Sequence, residues 1–518
     1  MRRIDFPILA RSLNSFHEMV PPMSQSAAVA GKTFFGHPRG LATLFFTEMW
    51  ERFSYYGMRA LLILFMTAAA TGANPGMELD VKTSAAIYGL YTFFVYLLSL
   101  PGGWVADQIW GQQKAVFVGG VIIAMGHFSM AVPMTETFFL GLILIVIGTG
   151  LLKPNVSTIV GELYPEGGAA RDAGFSVYYM GINLGAFLGP LLCGYFGEQI
   201  NWHYGFSLAG FGMVLGLIQY RMGTKHLGEA GTFKTEDSAE VLAAKARKFY
   251  IITAAVIAAC VVFGFMVSSG VIDLTLTQIA EGLGSSILLI VGVYFAYLIF
   301  FAGYNNNEKK RLGVILWLFV LAAIFWSGFE QAGSSLNLFA EEYADRDWGS
   351  WELPASWLQS VNSTFIIIFA PLFGSLWLAL AKMQKHPHFL TKFGLGLLGL
   401  GAGFFVVAWG AVNAEPGTVG VTFLIVMYFL HTVGELCLSP VGMSSITKLA
   451  PKGRVGQMMG IWFVATALGN LFAGLVAGDV EQLGYDGLFA QVAWISAGAG
   501  LVALLLSKPI QKLTGNVS

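Results

Sequence analysis

Residues 148–167 read GTGLLKPNVSTIVGELYPEG, and residues 434–453 read GELCLSPVGMSSITKLAPKG. Gly148, Pro154, Pro165 and Gly167 of the first match Gly434, Pro440, Pro451 and Gly453 of the second, each pair at the same offset of 286 residues (434−148). Glycine and proline are the residues whose backbone limits differ most from the rest. Four such marks at one offset, in two apolar helices and the loops that follow them, read as an internal duplication. The chain is therefore expected to hold two halves of one topology with additional material between them.

Working outward from the repeat, 56% of the 518 residues are hydrophobic and 11% are charged, against about 25% charged in ordinary soluble domains. Apolar runs long enough to cross a bilayer recur along the whole chain. Bounded by Gly, Pro and charge, they predict spans near 41–70, 84–107, 113–133, 137–161, 172–197 and 203–222, then 248–269 and 284–303, then 311–341, 354–382, 388–413, 419–446, 454–478 and 487–508. The expected fold is an all-α membrane protein of fourteen transmembrane helices. Two six-helix bundles, 41–222 and 311–508, flank a segment at 223–310 that holds a polar linker and two extra central helices. Tails are expected at 1–40 and 509–518.

Charge placement orients this map. Loops after even-numbered spans carry Lys114, Arg171, a cluster from Arg221 to Lys248, Lys309, Lys310, Arg311, Lys382, Lys385, Lys392, Lys448, Lys452 and Arg454, whereas the opposite loops carry Lys82 and Arg346 among many acids. By the bias of bases toward the cytoplasm, both termini are expected there. Residues 1–40 hold five bases and no long apolar run or small-residue cleavage site, as expected of a cytoplasmic tail rather than a signal peptide, and Met23 is an alternative start. A net charge of −1 with scattered bases gives no nucleic-acid footprint. Cys193, Cys260 and Cys437 lie in apolar runs without CxxC spacing, so disulfide, zinc and redox chemistry are not indicated. No paired haem-ligating histidines, metal cluster or catalytic triad can be assembled, which argues against an enzyme and against a cofactor.

Seven ionisable residues remain inside the core spans: Glu48, Glu51, Arg52, Arg59 and Lys153 in the first half, Glu330 and Glu435 in the second. Such groups are costly in a membrane and mark functional sites. In Glu48-Met49-Trp50-Glu51-Arg52-Phe53-Ser54-Tyr55-Tyr56-Gly57-Met58-Arg59 the helical period places Glu48, Arg52, Tyr55 and Arg59 near one line, with Glu51 and Tyr56 beside it. All the bases belong to the first half, and the repeat sets Lys153 opposite Glu435. A basic pole facing an acidic pole suits a zwitterion whose charges stand several ångströms apart, such as a short peptide; the competing reading is a set of ion pairs that lock the bundle. Asn183 and Asn362 are candidates to bind an ammonium or amide, or to join helices. Trp326, Trp462 and Tyr96 are candidate apolar walls or packing groups. His127 and His431 are read as satisfied packing residues, and the sequons at Asn155 and Asn362 as accidental because they fall within spans. Asp107, in the Gly-rich turn Gly102 to Lys114, is read as a gate latch.

At these residues the chain resembles the proton-dependent oligopeptide transporters of the major facilitator superfamily. The resemblance rests on ExxERFxYYG at Glu48–Gly57, GGWVAD at Gly102–Asp107, LLKPN at Leu151–Asn155, YYMGIN at Tyr178–Asn183, WxxxEQ at Trp326–Gln331, GExxxSPVG at Gly434–Gly442 and QMMGIWF at Gln457–Phe463. It implies the major facilitator fold and a proton-coupled symporter importing di- and tripeptides by alternating access. The proton gradient would drive it without a cofactor, in the bacterial inner membrane, and it would act as a monomer. It further implies that Glu48, Glu51 and Arg52 couple protons, that Arg59, Lys153, Tyr56 and Tyr96 take the peptide carboxyl end, and that Asn183, Asn362 and Glu435 hold its amino end. Trp326 and Trp462 would border side-chain pockets, and Glu330, pairing with Arg59 or Lys153, would gate together with Asp107. No histidine occurs between 84 and 107, where animal members carry one, so proton handling falls to carboxylates. The helix-7 histidine of the plant nitrate relative has no counterpart between 311 and 341, which argues for peptide over nitrate. The alternative is a proton-coupled carrier of another small anion or metabolite on the same fold.

Overall fold

A computed structural model describes residues 33–385 and 387–514. The bulk of the expected N-terminal tail, 1–32, and the last four residues lie outside the described part. Fourteen long helical segments follow in order: α1 Arg39–Thr67, α2 Val81–Trp110, α3 Gln112–Met130, α4 Thr135–Glu162, α5 Gly168–Gln199 and α6 Trp202–Gly223; α7 Ala239–Ser268 and α8 Leu276–Phe300; and α9 Asn306–Tyr343, α10 Ala355–Lys382, α11 Phe389–Ala411, α12 Thr422–Leu449, α13 Val455–Ala477 and α14 Val480–Thr514. In lipid a helix satisfies its backbone within one segment, which is why an apolar chain of this kind folds so. Twelve of the segments contain a window apolar enough to cross a membrane. The two that do not are α1, which carries Glu48, Glu51, Arg52 and Arg59, and the glycine-rich α6.

The duplication appears as repeated packing. In the first half α1 packs on α5 and α6, α3 on α4 and α6, and α2 on α4; in the second α9 packs on α13 and α14, α11 on α12 and α14, and α10 on α12. The repeated glycines serve matching purposes. A Cβ on Gly148 would stand 2.6 Å from the Gly119 carbonyl, and one on Gly434 would stand 2.6 Å from the Gly396 carbonyl, so in each half they let α4 or α12 approach its neighbour. After each of these helices, Gly167 (φ 66°) and Gly453 (φ 78°) take the left-handed conformation that turns the chain into the next one.

The halves meet along α2 with α13 and α5 with α10. One end of the molecule gathers the base-rich connections, and the other gathers the acid-rich ones, including the short parallel pairing of Ala344 with Val419. Hydrogen bonds between the halves cluster toward the acidic end. There Glu198 of α5 accepts from the Ala355 and Ser356 amides of α10 (2.8 and 3.1 Å), the Trp357 indole donates to Leu191 O (2.8 Å), and the Asn337 amide of α9 donates to Ala60 O of α1 (2.8 Å).

Helix starts depart from the apolar runs because caps, not hydropathy, set them. α7 begins at Ala239 rather than near 248, with the Ser238 hydroxyl accepting from the Val241 amide, and α8 begins at Leu276 rather than near 284, behind a Thr275/Gln278 capping box. The expected polar linker is therefore partly helix. α14 extends from 480 to 514 and kinks at Gly484 (φ 68°).

Candidate functional site

Between the halves lies a cavity lined from both, by Tyr56 and Arg59 (α1), Tyr96 (α2), Tyr179 and Asn183 (α5), Trp326, Phe329 and Glu330 (α9), Gln359, Asn362 and Ser363 (α10), and Tyr428, His431 and Glu435 (α12). The repeat mates α4 and α12 do not contribute alike. Glu435 lines the cavity directly, whereas Lys153 of α4 reaches it through Tyr96, with its ammonium 3.7 Å from that ring's centre.

Arg59 donates from Nη1 to Glu330 Oε2 at 2.5 Å, joining α1 to α9 at the wall of the cavity. Both side chains are buried, so the pair is held by charge in a low-dielectric site and either partner alone would be costly. The expected choice of Arg59 or Lys153 for Glu330 thus falls on Arg59, and the basic pole is already tied to an acid of the opposite half. The Arg59 guanidinium also lies over the Tyr56 ring (5.0 Å), and its Nε, buried, makes no hydrogen bond within the protein.

Two to three turns away on α1, Arg52 Nε stands 3.0 Å from Glu48 Oε1 and 2.5 Å from Glu51 Oε2. All three side chains are buried, and Arg52 further covers the Tyr55 ring at 5.2 Å. The Glu51 contact lies off the N–H direction, an ion pair rather than an aligned hydrogen bond, and Glu51 Oε1 and Glu48 Oε2 accept no hydrogen bond. Two carboxylates share one guanidinium, each with an oxygen able to take a proton. This cluster lies on the same helix as Arg59 but outside the cavity lining.

On the acidic side the Asn362 amide donates to Thr432 Oγ1 (2.9 Å) and to Glu435 Oε2 (3.3 Å), so it joins α10 to α12 and also presents Glu435 to the cavity. Asn183 donates to the Tyr179 carbonyl of its own helix (3.0 Å), leaving its amide oxygen available. Trp326 lines the cavity with its indole N–H unpaired. Trp462 lies apart from that lining, buried against Phe393 (6.3 Å) with its six-membered ring over Gly442. Asp107 stands at the base-rich end in a π-helical turn, Ala106–Trp110, and accepts from Gln112 at the start of α3 (2.8 Å).

Two histidines differ from the expectation of satisfied packing. His127 is fully buried with neither ring nitrogen hydrogen-bonded, and His431 lines the cavity, one helical turn before Glu435, against Phe404 (4.8 Å), with Nε2 unpaired. Tyr179, Gln359 and Tyr428 are further cavity residues that carry no charge signal in the sequence. The i, i+3 and i, i+7 spacings of Tyr428, His431 and Glu435 on one helix face could have found the last group.

Comparison with known proteins agrees with this geometry. A family model described as the POT family matches residues 113–495. The peptide transporter YePEPT of Yersinia enterocolitica is 43% identical over 500 residues, covering 94% of this chain and 97% of that protein. A di-/tripeptide transporter of Lactococcus lactis is 35% identical over 494 residues, covering 94% and 98%. A crystal structure of the peptide transporter POT in complex with sulfate superposes with a TM-score of 0.85 at 38% identity, covering 93% of this chain and 97% of that one. The family match spans both copies of the repeat and the whole second wall of the cavity, and the full-length relatives add α1 with its charged stretch: the chain belongs to the POT family.

Proposed function

We propose that the protein is a proton-coupled symporter that imports di- and tripeptides by alternating access across the bacterial inner membrane, with both termini cytoplasmic and the monomer as the working unit. The observation that carries this reading is the Arg59–Glu330 pair in the wall of a cavity that also holds the Asn362–Glu435 dyad. A peptide carboxylate competes with Glu330 for Arg59, aided by Tyr56 and by Lys153 over Tyr96, while the ammonium binds Glu435, Asn362 and Asn183. Binding therefore draws on the same charges that fasten α1 to α9, so occupancy and gate opening are linked. Trp326 borders the side-chain space, Trp462 backs the second bundle from outside the cavity lining, and Glu330 and Asp107 act at the two gates.

Protons enter through Glu48 and Glu51, the two buried carboxylates that share the Arg52 guanidinium. Withdrawal of the guanidinium toward substrate lets a carboxylate take a proton. Each proton moved inward along a potential of 100 mV contributes about 2.3 kcal/mol, enough for more than about tenfold accumulation. The base-rich end is the cytoplasmic one, and fastening at the acidic end corresponds to a state closed to the outside. The test is uptake of dialanine and trialanine into proteoliposomes with and without an inward proton gradient. Gradient-dependent accumulation is expected, and its absence under every gradient refutes the proposal.

A further inference from the structure

The two extra helices, α7 and α8, take no part in the cavity, yet their contacts are not arranged as idle lipid-facing segments. α7 buries none of its side chains, so a membrane-exposed helix is held in place almost wholly by what happens at one end. There, at the base-rich end, side chains from two consecutive turns of α7 grip the end of α2. Lys245 donates to Gln108 Oε1 (3.2 Å), Trp110 Nε1 donates to the Tyr250 hydroxyl (3.1 Å), and Phe249 packs on Trp104 (5.7 Å between ring centres). The gripped turn of α2 is the π-helix Ala106–Trp110, a local widening of the kind found at functional points in helices. The incoming linker adds to the grip, since Gly111 packs on the Phe233 backbone and Gln113 N donates to Gly231 O (2.9 Å).

α8 attaches to the other half at the same end. Tyr294 donates to Gln457 Oε1 of α13 (2.7 Å), and Arg454, just before α13, donates to the Tyr304 hydroxyl in the α8–α9 connection (2.6 Å) and to Gln457 (2.7 Å). Toward the acidic end α8 instead sits in the seam between halves. Ala280 packs with Phe93 of α2 and with Ala467 and Leu471 of α13, and Gly284 lies against Phe472.

We infer that α7 and α8 form a strap across the gate at the base-rich end, one leg fixed to α2 and the other to α13, with its pivot in the acidic-end seam. α2 and α13 are one of the two pairs along which the halves meet, so any rocking that parts or closes their base-rich ends must part or close the two legs. The legs travel with their own halves throughout the cycle, and the hairpin between them biases the equilibrium between the open and closed gate. This inference rests on the alternating-access reading of the preceding section.

Cross-linking of the full chain in proteoliposomes tests it, in a background where Cys260, the exposed native thiol, is serine. A reducible bis-methanethiosulfonate linker is placed between Trp110→Cys and Tyr250→Cys, or between Tyr294→Cys and Gln457→Cys. Each linked protein is expected to keep its dialanine uptake, because neither leg leaves its half. Loss of uptake that reduction restores overturns the strap. In a second arm, Lys245→Met with Phe249→Leu and Tyr250→Phe cuts one leg. Dialanine binding is expected to stay within about twofold, while uptake changes at least about threefold and the distance distribution between spin labels on the base-rich ends of α2 and α13 shifts. An unchanged distribution with unchanged uptake overturns the inference. Failure of the unmodified protein to accumulate dialanine would instead count against peptide transport and leaves the spin-label arm to judge the strap.

Discussion

Arg59 on α1 and Glu330 on α9 are joined by a buried ion pair of 2.5 Å, although 271 residues separate them in the chain. It is a short polar connection across the two halves at the cavity wall, so it clasps α1 to α9, and in the proposed cycle Glu330 is the partner that a substrate carboxylate displaces from Arg59. Glu330→Gln leaves the Arg59 charge buried and unpaired, which costs about 3–5 kcal/mol. The expected outcome is a lower melting temperature, greater modification of a cysteine placed at Asn337 near the clasp, and loss of peptide uptake. The double variant Arg59→Gln/Glu330→Gln is expected to recover the melting temperature and not the uptake. Recovery of both would reduce the pair to a structural lock.

How much of this was legible in the chain follows from what kind of physics each feature obeys. The repeat was readable because Gly148 and Gly434 answer to the same steric demand, an approach of 2.6 Å to a neighbouring carbonyl, and Gly167 and Gly453 to the same positive φ. The charges inside spans were readable because their cost in lipid makes them rare. The start of α7 was not, since hydropathy sees Lys245, Arg247 and Lys248 as a break, whereas a Ser238 cap and an interfacial turn keep the helix going. Nor were Gln359 and Tyr179 as cavity residues: neutral polar side chains in a span carry no signature until the opposing helix is placed. The choice of Arg59 over Lys153 as the partner of Glu330 likewise depended on which base reaches across to α9 and which lies on the Tyr96 ring.

Glu51 shares Arg52 with Glu48 and has one oxygen unpaired. Glu51→Gln removes a proton acceptor and keeps the shape. Gradient-driven uptake is expected to fall at least about a hundredfold, the scale of losing a proton-transfer group, while counterflow of labelled dialanine persists, because exchange moves no net proton. Gradient-driven accumulation at the wild-type level would remove Glu51 from the proton path.

Tyr96 carries the Lys153 ammonium on its ring face at 3.7 Å. A desolvated cation–π contact contributes about 2 kcal/mol. Tyr96→Phe preserves the ring and is expected to leave the KM for dialanine within about twofold, whereas Tyr96→Leu is expected to raise it about tenfold. Equal effects of the two variants would point to the hydroxyl instead.

Asp80 caps α2 by accepting from the Thr83 amide (2.7 Å), and that hydrogen bond holds its carboxyl below the usual aspartate value. A lowered folded-state value contributes stability that is present above the unfolded aspartate value, about 3.9, and is lost as pH falls through the folded one. Being exposed to solvent, the cap contributes about 0.5–1 kcal/mol. Asp80→Ala is expected to lower the melting temperature slightly at pH 7 in detergent, and the gap to the wild type should close on acidification toward pH ~2. A gap that stayed constant with pH would assign the effect to packing.

Asn362 presents Glu435 to the cavity through a 3.3 Å hydrogen bond while its 2.9 Å bond to Thr432 fixes its own orientation. A hydrogen bond to a charged group contributes about 1.5–3 kcal/mol, so losing the ammonium contact should weaken binding about tenfold to a hundredfold. Glu435→Gln is expected to raise the KM for dialanine by that factor, and Asn362→Ala by less, because Glu435 remains but is no longer oriented. N-acetyl-dialanine lacks the ammonium, so its weak binding should be the same in the wild type and in both variants. If the acetylated peptide loses as much affinity as dialanine does, Glu435 is not the amino-end partner and the polarity of the bound peptide is reversed.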